Sequence, residues 1–292
     1  MGIVRTTENL GSQAEWPVHP ELLDWLAAEF MHPVQIQQVA GADAHNWDIK
    51  ALDKLIVMSA AYRQSARVEN SVDPENRLAA RGPRFRLSAE TLRDQMLFLS
   101  GLLVEQQGGP SVRPYMPDGV WDETSRYGDL RGYRADQGAG LYRRSLYTIW
   151  KRTAAPPTMT LFDAPNREVC TVKRSRTNTP LQALSLLNET TAVESARKLA
   201  ERMLLEGGDT DQLRLEWGFR LVTARRPEAA ELQLLQAGLQ QDLQTFAAAP
   251  AEAAKLLQVG AAPANAALAP DRLAAWTLTA NVLLNLDEVI SH

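Results

Sequence analysis

The sequence predicts a mainly α protein: a helical domain with a long irregular central loop region, followed by a C-terminal antiparallel helical subdomain. Three observations carry that expectation. Apolar residues recur three and four positions apart in segment after segment, as on one face of a helix, for instance Leu92, Met96, Leu99 and Leu103, or Leu232, Leu235, Leu239 and Leu243. Proline stands repeatedly where a helix can begin, most clearly in Thr179-Pro180-Leu181-Gln182, where Thr179 and Gln182 can bond each other's backbone N–H groups reciprocally. Residues 111–140 turn instead to Gly, Pro, Tyr, Asp and Arg with few side chains to bury, the composition of a long loop.

Taken in order, Pro20 opens a helix whose Leu22, Leu23, Leu26 and Phe30 form an apolar face, ending at His32-Pro33. A second helix runs from Asp48 to Arg63 with Ile49, Leu52, Leu55, Ile56 and Met58 turned inward. Asp73 with Pro74 reads as the start of a short helix, and Ser88 as the cap of the helix that carries Leu92. Leu141 to Trp150 fits both helical spacing and strand alternation; helix is favoured, with Val169 to Val172 as a short strand. From Pro180 the stripe runs through Leu181, Leu184, Leu187, Val193, Ala196, Leu199 and Met203 to Gly207-Gly208. Beyond it lie a helix with Leu215, a partner helix from Pro227, an Ala- and Pro-rich connector over 248–270, and a last helix capped by Asp271 that buries Leu273, Trp276 and Leu283. The expected division is a first domain over 1–208 and the helical subdomain over 209–292, packed on it. A chain of 292 residues, 45% hydrophobic and 23% charged, can bury one large core or two smaller ones.

Charge is unevenly spread. The net charge is -4, yet residues 60–180 hold 19 of the 31 cations and only 13 of the 35 acids. An acidic chain with a basic middle argues against general nucleic-acid coating and for a local anion site. The basic middle is sharpest between Leu141 and Leu187, where eight cations face only Asp163 and Glu168. Candidate binding residues there are Arg143, Arg144, Tyr147, Trp150, Lys151 and Arg152, then Lys173, Arg174 and Arg176 just ahead of the helix start at Pro180, where exposed N–H groups favour an anion. The same cations could equally serve loop carbonyls or face solvent. Trp121, Tyr127 and Tyr133 offer flat faces to sugar rings or pins for the loop, and pinning is favoured.

No constellation spells out a reaction. The central stretch has no histidine to activate Cys170 or a serine, so Cys170 reads as a small buried apolar group. His19, His32, His45 and His292 lack metal-ligand spacing, and Asp122-Glu123 are mere sequence neighbours. GxSxG, Walker A, GxGxxG and CxxCH are absent, and no cofactor is expected. A single cysteine forms no internal disulfide. No apolar run approaches the roughly 18 residues of a membrane span.

Several blocks carry a family likeness: HPELLDWLAAEF, KALDKLIVMSAAYRQSAR, DPENRLAARGPRFRLSAETLRDQ, GGPSVRPYMPDGVW, RRSLYTIWKRT, FDAPNREVCTVKRSRTNTPLQALSLLN and LAAWTLTANVLLNLDEVI. Over nearly its whole length the chain resembles the C-terminal domain of unknown function of the planctomycete cytochrome c domain-containing proteins. Val34 to His45 departs from that pattern and is expected to be a loop. Met1 falls inside the first block of the family domain, from which a truncated or split product is expected, with a genuinely short variant as the alternative; without CxxCH, the resemblance is expected to exclude the cytochrome c part. Similar proteins are typically exported, whereas MGIVRTTENLG has no basic-then-apolar leader. The resemblance to multidomain proteins implies a non-catalytic binding or assembly module, with an anionic polysaccharide or an upstream domain or subunit of the same family as partner. The alternatives are an enzyme on such polymers, with Tyr147 as acid or base, and a protein-docking subunit that uses the surface left bare by the missing N-terminal segment.

Overall fold

The computed structural model describes residues 3–9, 11–66, 73–122, 132–151 and 153–291. Among the described residues, twelve α-helices and two short 3-10 turns form the framework, and strand pairing is limited to isolated bridges. The mainly α expectation is met. The chain divides into two compact units, one within residues 1–85 and one from Arg86 to Ser291.

The first unit holds α1 (Pro20–Met31), α2 (Gln35–Ala40) and α3 (Ile49–Met58). Proline at the first turn starts α1, and Asp48 starts α3 by accepting a hydrogen bond from Ala51 N. α2 corrects the loop expected over 34–45. Its cap comes from another helix: Glu29, the one buried residue of α1, accepts from the N–H groups of Val34, Gln35 and Ile36 at 2.9, 2.8 and 3.1 Å. One carboxylate thus satisfies three donors that would otherwise be orphaned. The core is small, with Ile36, Ala44 and Ala51 buried and Ala40, Leu52 and Leu55 packed around them. Leu22 and Leu23, expected inside, are exposed, as are Ile49, Ile56 and Met58. The short helix expected at Asp73 is a turn, in which Asp73 accepts from Leu78 N and Arg81 binds the carbonyls of Asp73 and Pro74.

The second unit contains α4 (Ala89–Ser100), 3-10 turns at Gly138–Tyr142 and Ser145–Tyr147, α5 (Pro157–Leu161), α6 (Pro180–Asn188), α7 (Thr190–Glu206), α8 (Asp211–Thr223), α9 (Ala229–Ala248), α10 (Pro250–Leu257), α11 (Pro270–Leu284) and α12 (Asp287–Ile290). Ser88 caps α4, and Thr179 and Gln182 close the expected capping box of α6. α7 and α11 are the hub, with most of their residues buried on all sides, as in a core helix rather than an amphipathic one. Leu199, Met203, Leu215, Phe219, Leu239, Leu273, Trp276 and Leu283 fill the core between them and their neighbours, each buried aliphatic or aromatic group contributing roughly 1.5–3 kcal/mol. Helices α8 to α11 share this core with α4 and α7. Gly218 lets α8 approach α7, since a Cβ there would lie 2.5 Å from Met203 Cε. α11, expected as the last helix, begins one residue before the expected cap, with Ala269 at the cap and Pro270 first, and α12 follows it.

The short α12 is fastened by Arg225. Its guanidinium lies over the Phe219 ring and pairs with Glu231 at 2.6 Å and Glu288 at 2.5 Å. The hydrogen bonds from Arg225, helped by Glu228 N, pull Glu231 from an ordinary 4.5 down to about 2. A depressed carboxylate adds stability that is present above the unfolded value and lost as pH falls through the folded one. The stability gap between wild type and Arg225→Met should therefore be constant above about pH 4.5 and should close toward pH 2. Urea unfolding of both proteins across that range reads it directly, and a gap independent of pH would mean Arg225 acts only by packing.

Candidate functional site

The central stretch is organised by the polar face of α4. Arg93 donates through Nη1 to Arg143 O at 3.0 Å and Ser145 Oγ at 3.2 Å, and through Nη2 to Leu141 O at 2.6 Å. Asp94 accepts from Ser145 N at 2.7 Å. These bonds wind 138–147 into two tight turns against α4, where helix was favoured across 141–150. The decision is tertiary: α4 supplies partners for carbonyls that a helix would have used itself.

Arg143 is buried and donates to the carbonyls of Gln106, Gly108 and Pro110, with its guanidinium 3.9 Å from the centroid of the Tyr147 ring. Tyr147 in turn accepts from Gly108 N at 2.8 Å. Together they hold the Gly108-Gly109 turn against the loop. Arg144 is exposed and sits 3.5 Å from Asp94. Trp150 packs on the large core with Arg167 over its ring, and Lys151 stands over the ring of Trp121. Arg152 lies outside the described residues. Arg174 pairs with Glu90 at 2.7 Å, pulling that carboxyl down against the opposing effect of burial. Lys173, Arg174 and Arg176 lie in 166–178, a segment exposed throughout, and the strand expected at Val169–Val172 is absent. Cys170 is exposed, which corrects the buried reading.

The candidates therefore form no single cluster. Arg143 and Tyr147 belong to one turn, Trp150 and Lys151 to another layer, and the 173–176 cations to an exposed loop. Ahead of α6 stands an internal carboxylate: Asp163 accepts from Thr177 N at 2.7 Å and from Arg86 Nη2 at 2.5 Å, and these contacts lower its pKa although burial opposes them. Trp121 is pinned, with Nε1 donating to Ala154 O and Tyr133 edge-on at 5.0 Å. Tyr127 lies outside the described residues.

Two features escaped sequence reasoning. One is a buried network on α7. Glu194 accepts from Tyr142 Oη at 2.9 Å, Tyr115 Oη at 3.3 Å and Ala262 N at 2.6 Å, while Arg197 donates to Val259 O and Ala262 O. Gly260 closes over it at φ +85°, where a Cβ would meet the Glu194 carboxylate at 2.4 Å. Burial together with Tyr115 and Glu194 pushes the Tyr142 hydroxyl well above the ordinary phenol range, so it remains a donor. The i, i+3 spacing of Glu194 and Arg197 was the available signal. The other is a cleft between α4, α5, the α6–α7 junction and residues 114–117, lined by apolar groups around Arg93, Thr148 and Glu189. Among the described residues no three His, Cys, Asp or Glu side chains gather as a metal site, and no helix is long and apolar enough to cross a membrane.

The class defined by these features is a helical domain whose central cations are largely engaged in holding its own loops. The chain belongs to the family described as PSD1, protein of unknown function (DUF1553), whose sequence profile matches residues 1–239. No curated protein and no solved structure matches the chain.

Proposed function

We propose that this chain is a non-catalytic assembly module that docks onto another polypeptide through α1 and α3. The carrying observation is the exposed apolar surface of the first unit: Leu22, Leu23, Trp25 and Met31 on α1, and Ile49, Ile56, Val57 and Met58 on α3. Three buried apolar residues are a small return for ordering three helices, and apolar faces left open in this way mark interaction surfaces. An isolated chain with such faces covers them with a second copy. Sedimentation velocity over a concentration series should show self-association of the wild type, and a predominantly monomeric Leu22→Glu/Trp25→Glu/Ile56→Glu variant with unchanged circular dichroism. A wild type that stays monomeric at high concentration overturns the proposal.

Engagement of an anionic polysaccharide is the second reading, favoured by the cation surplus of the exposed 166–178 segment, whose sequence sets Arg167, Lys173, Arg174 and Arg176 against one acid, Glu168. The internal pairs Arg144–Asp94 and Arg174–Glu90 weigh against it. Salt-sensitive retention on sulfated or uronate polymers, absent on neutral ones, would favour it over docking. Catalysis by Tyr147 has less support, because its hydroxyl is engaged by Gly108 N and its ring by Arg143.

A further inference from the structure

The cleft beside α4 has a composition that packing alone leaves unexplained. Its walls are apolar, with Leu92, Met96, Met116, Met159, Phe162 and Leu186 among them, and the centre of a water-sized sphere can move through about 50 Å³ of it. Into this apolar lining the fold brings one cation, Arg93, and one carboxylate, Glu189. Glu189 caps α7, accepting from Ala192 N and from Thr191 Oγ1, and burial pushes its carboxyl up from the ordinary value. Two further polar atoms are buried without a hydrogen-bond partner among the described residues: Thr148 Oγ1, on a residue 4% exposed, and Arg93 Nε. Both residues line the cleft and are tied to Ser145, Arg93 through the Ser145 hydroxyl and Thr148 N through the Ser145 carbonyl. Buried polar atoms are ordinarily satisfied, and an orphaned donor and hydroxyl on two residues of one cleft ask for a partner that the described residues do not provide.

From this arrangement we infer that the cleft binds a small amphipathic molecule: a slender apolar body among the methionines and prolines, with an uncharged amide or hydroxyl head between Thr148, Arg93 and Glu189. The head is neutral because the cleft carries one charge of each sign, so an anion meets Glu189 and a cation meets Arg93, either at a cost in a desolvated site. It both donates and accepts, since Arg93 Nε offers only a hydrogen and a carboxylate oxygen only accepts. The apolar body supplies affinity and the polar groups supply selection, the usual division in small-molecule sites. Nothing in this inference involves α1 or α3, so it stands or falls apart from the docking proposal.

The test uses the full chain with 13C-methyl methionine and titrates hexanamide, hexanoate and hexylammonium in parallel. Hexanamide should move the Met96, Met116 and Met159 methyl signals saturably and leave Met58 unmoved, with both charged analogues at least tenfold weaker. Met116→Trp narrows the cleft from a half-exposed position outside the large core and should weaken hexanamide at least tenfold. Thr148→Val keeps the side-chain shape and should weaken hexanamide severalfold, without weakening hexane-1-thiol, which carries a poorer hydrogen-bonding head. Absence of saturable shifts, equal binding of all three head groups, or wild-type affinity in Met116→Trp would each overturn the inference and leave a packing groove only.

Discussion

Glu194→Ala is expected to destabilise the second unit by about 3–5 kcal/mol, the usual cost of removing one partner from a fully buried ionic group. Glu194 and Arg197 are both shut off from solvent on the central helix, with Arg197 Nη2 3.9 Å from Glu194 Oε1 and Arg197 Nη1 3.9 Å from Glu201 Oε1. Removing the carboxylate takes an acceptor from the hydroxyls of Tyr115 and Tyr142 and from the N–H of Ala262, and leaves much of the Arg197 charge uncompensated. The pair itself is loosely made, since Glu194 Oε2 and Arg197 Nε and Nη1 find no hydrogen-bond partner among the described residues. Replacing both members, as Glu194→Leu with Arg197→Met, should therefore recover a large part of the loss, because apolar groups of similar volume avoid desolvating the charges. Urea midpoints of wild type, single and double variants decide the matter. A single variant costing under about 1 kcal/mol, or a double variant as unstable as the single, would mean that the loop over 258–265 is held by something other than this network.

Local signals and tertiary ones divide cleanly in this chain. Ser88, Thr179-Pro180-Gln182 and Pro20 each satisfy their own helix start from within a few residues, and the sequence announces them. α2 is silent because its cap, Glu29, sits on the preceding helix, and nothing at Val34 signals it. The turns at 138–147 were equally hidden. Their carbonyls go to Arg93, roughly fifty residues earlier, and a pattern of period 2 or 3.6 carries no trace of such a partner. Inward faces were legible where a helix is surrounded, as at Leu215 and Trp276, and misleading in α1 and α3, where the apolar stripe is present but left open.

The basic centre shows why a charge count is a poor guide to a site. Arginine is the residue that can satisfy several carbonyls at once from a single planar fork, so a loop-rich region without regular secondary structure recruits it for internal bonding. Arg81, Arg93 and Arg143 serve in that way, and Arg86 holds Asp163 beside the start of α6. In sequence these residues cannot be told from ligand-binding cations, because the carbonyls they serve lie anywhere from 1 to 91 residues away. The cleft residues carry no sequence signal for the opposite reason. Thr148 and Glu189 are single polar positions amid ordinary ones, and only the packing of segments distant in sequence brings them into one cleft.

Trp276→Ala is expected to cost about 3–5 kcal/mol, the range for deleting a large aromatic side chain from a packed interior. Trp276 is fully buried on α11 and lies in the same core as Leu199, Met203 and Phe219, so the cavity left behind would open at the centre of the helical hub. Collapse is the only relief available, and helices packed on all sides of α11 restrict it. The indole adds a second effect of opposite sign: its Nε1 is buried and has no hydrogen-bond partner among the described residues. Trp276→Phe deletes that unsatisfied donor along with part of the ring, so the gain from the first offsets part of the loss from the second. Its cost should fall to about 1–2 kcal/mol, well below the alanine variant. Thermal and urea unfolding of the two variants separate the contributions. Equal losses for Phe and Ala would mean that the indole N–H is bonded in solution, which places an ordered water at the heart of the core between α7 and α11.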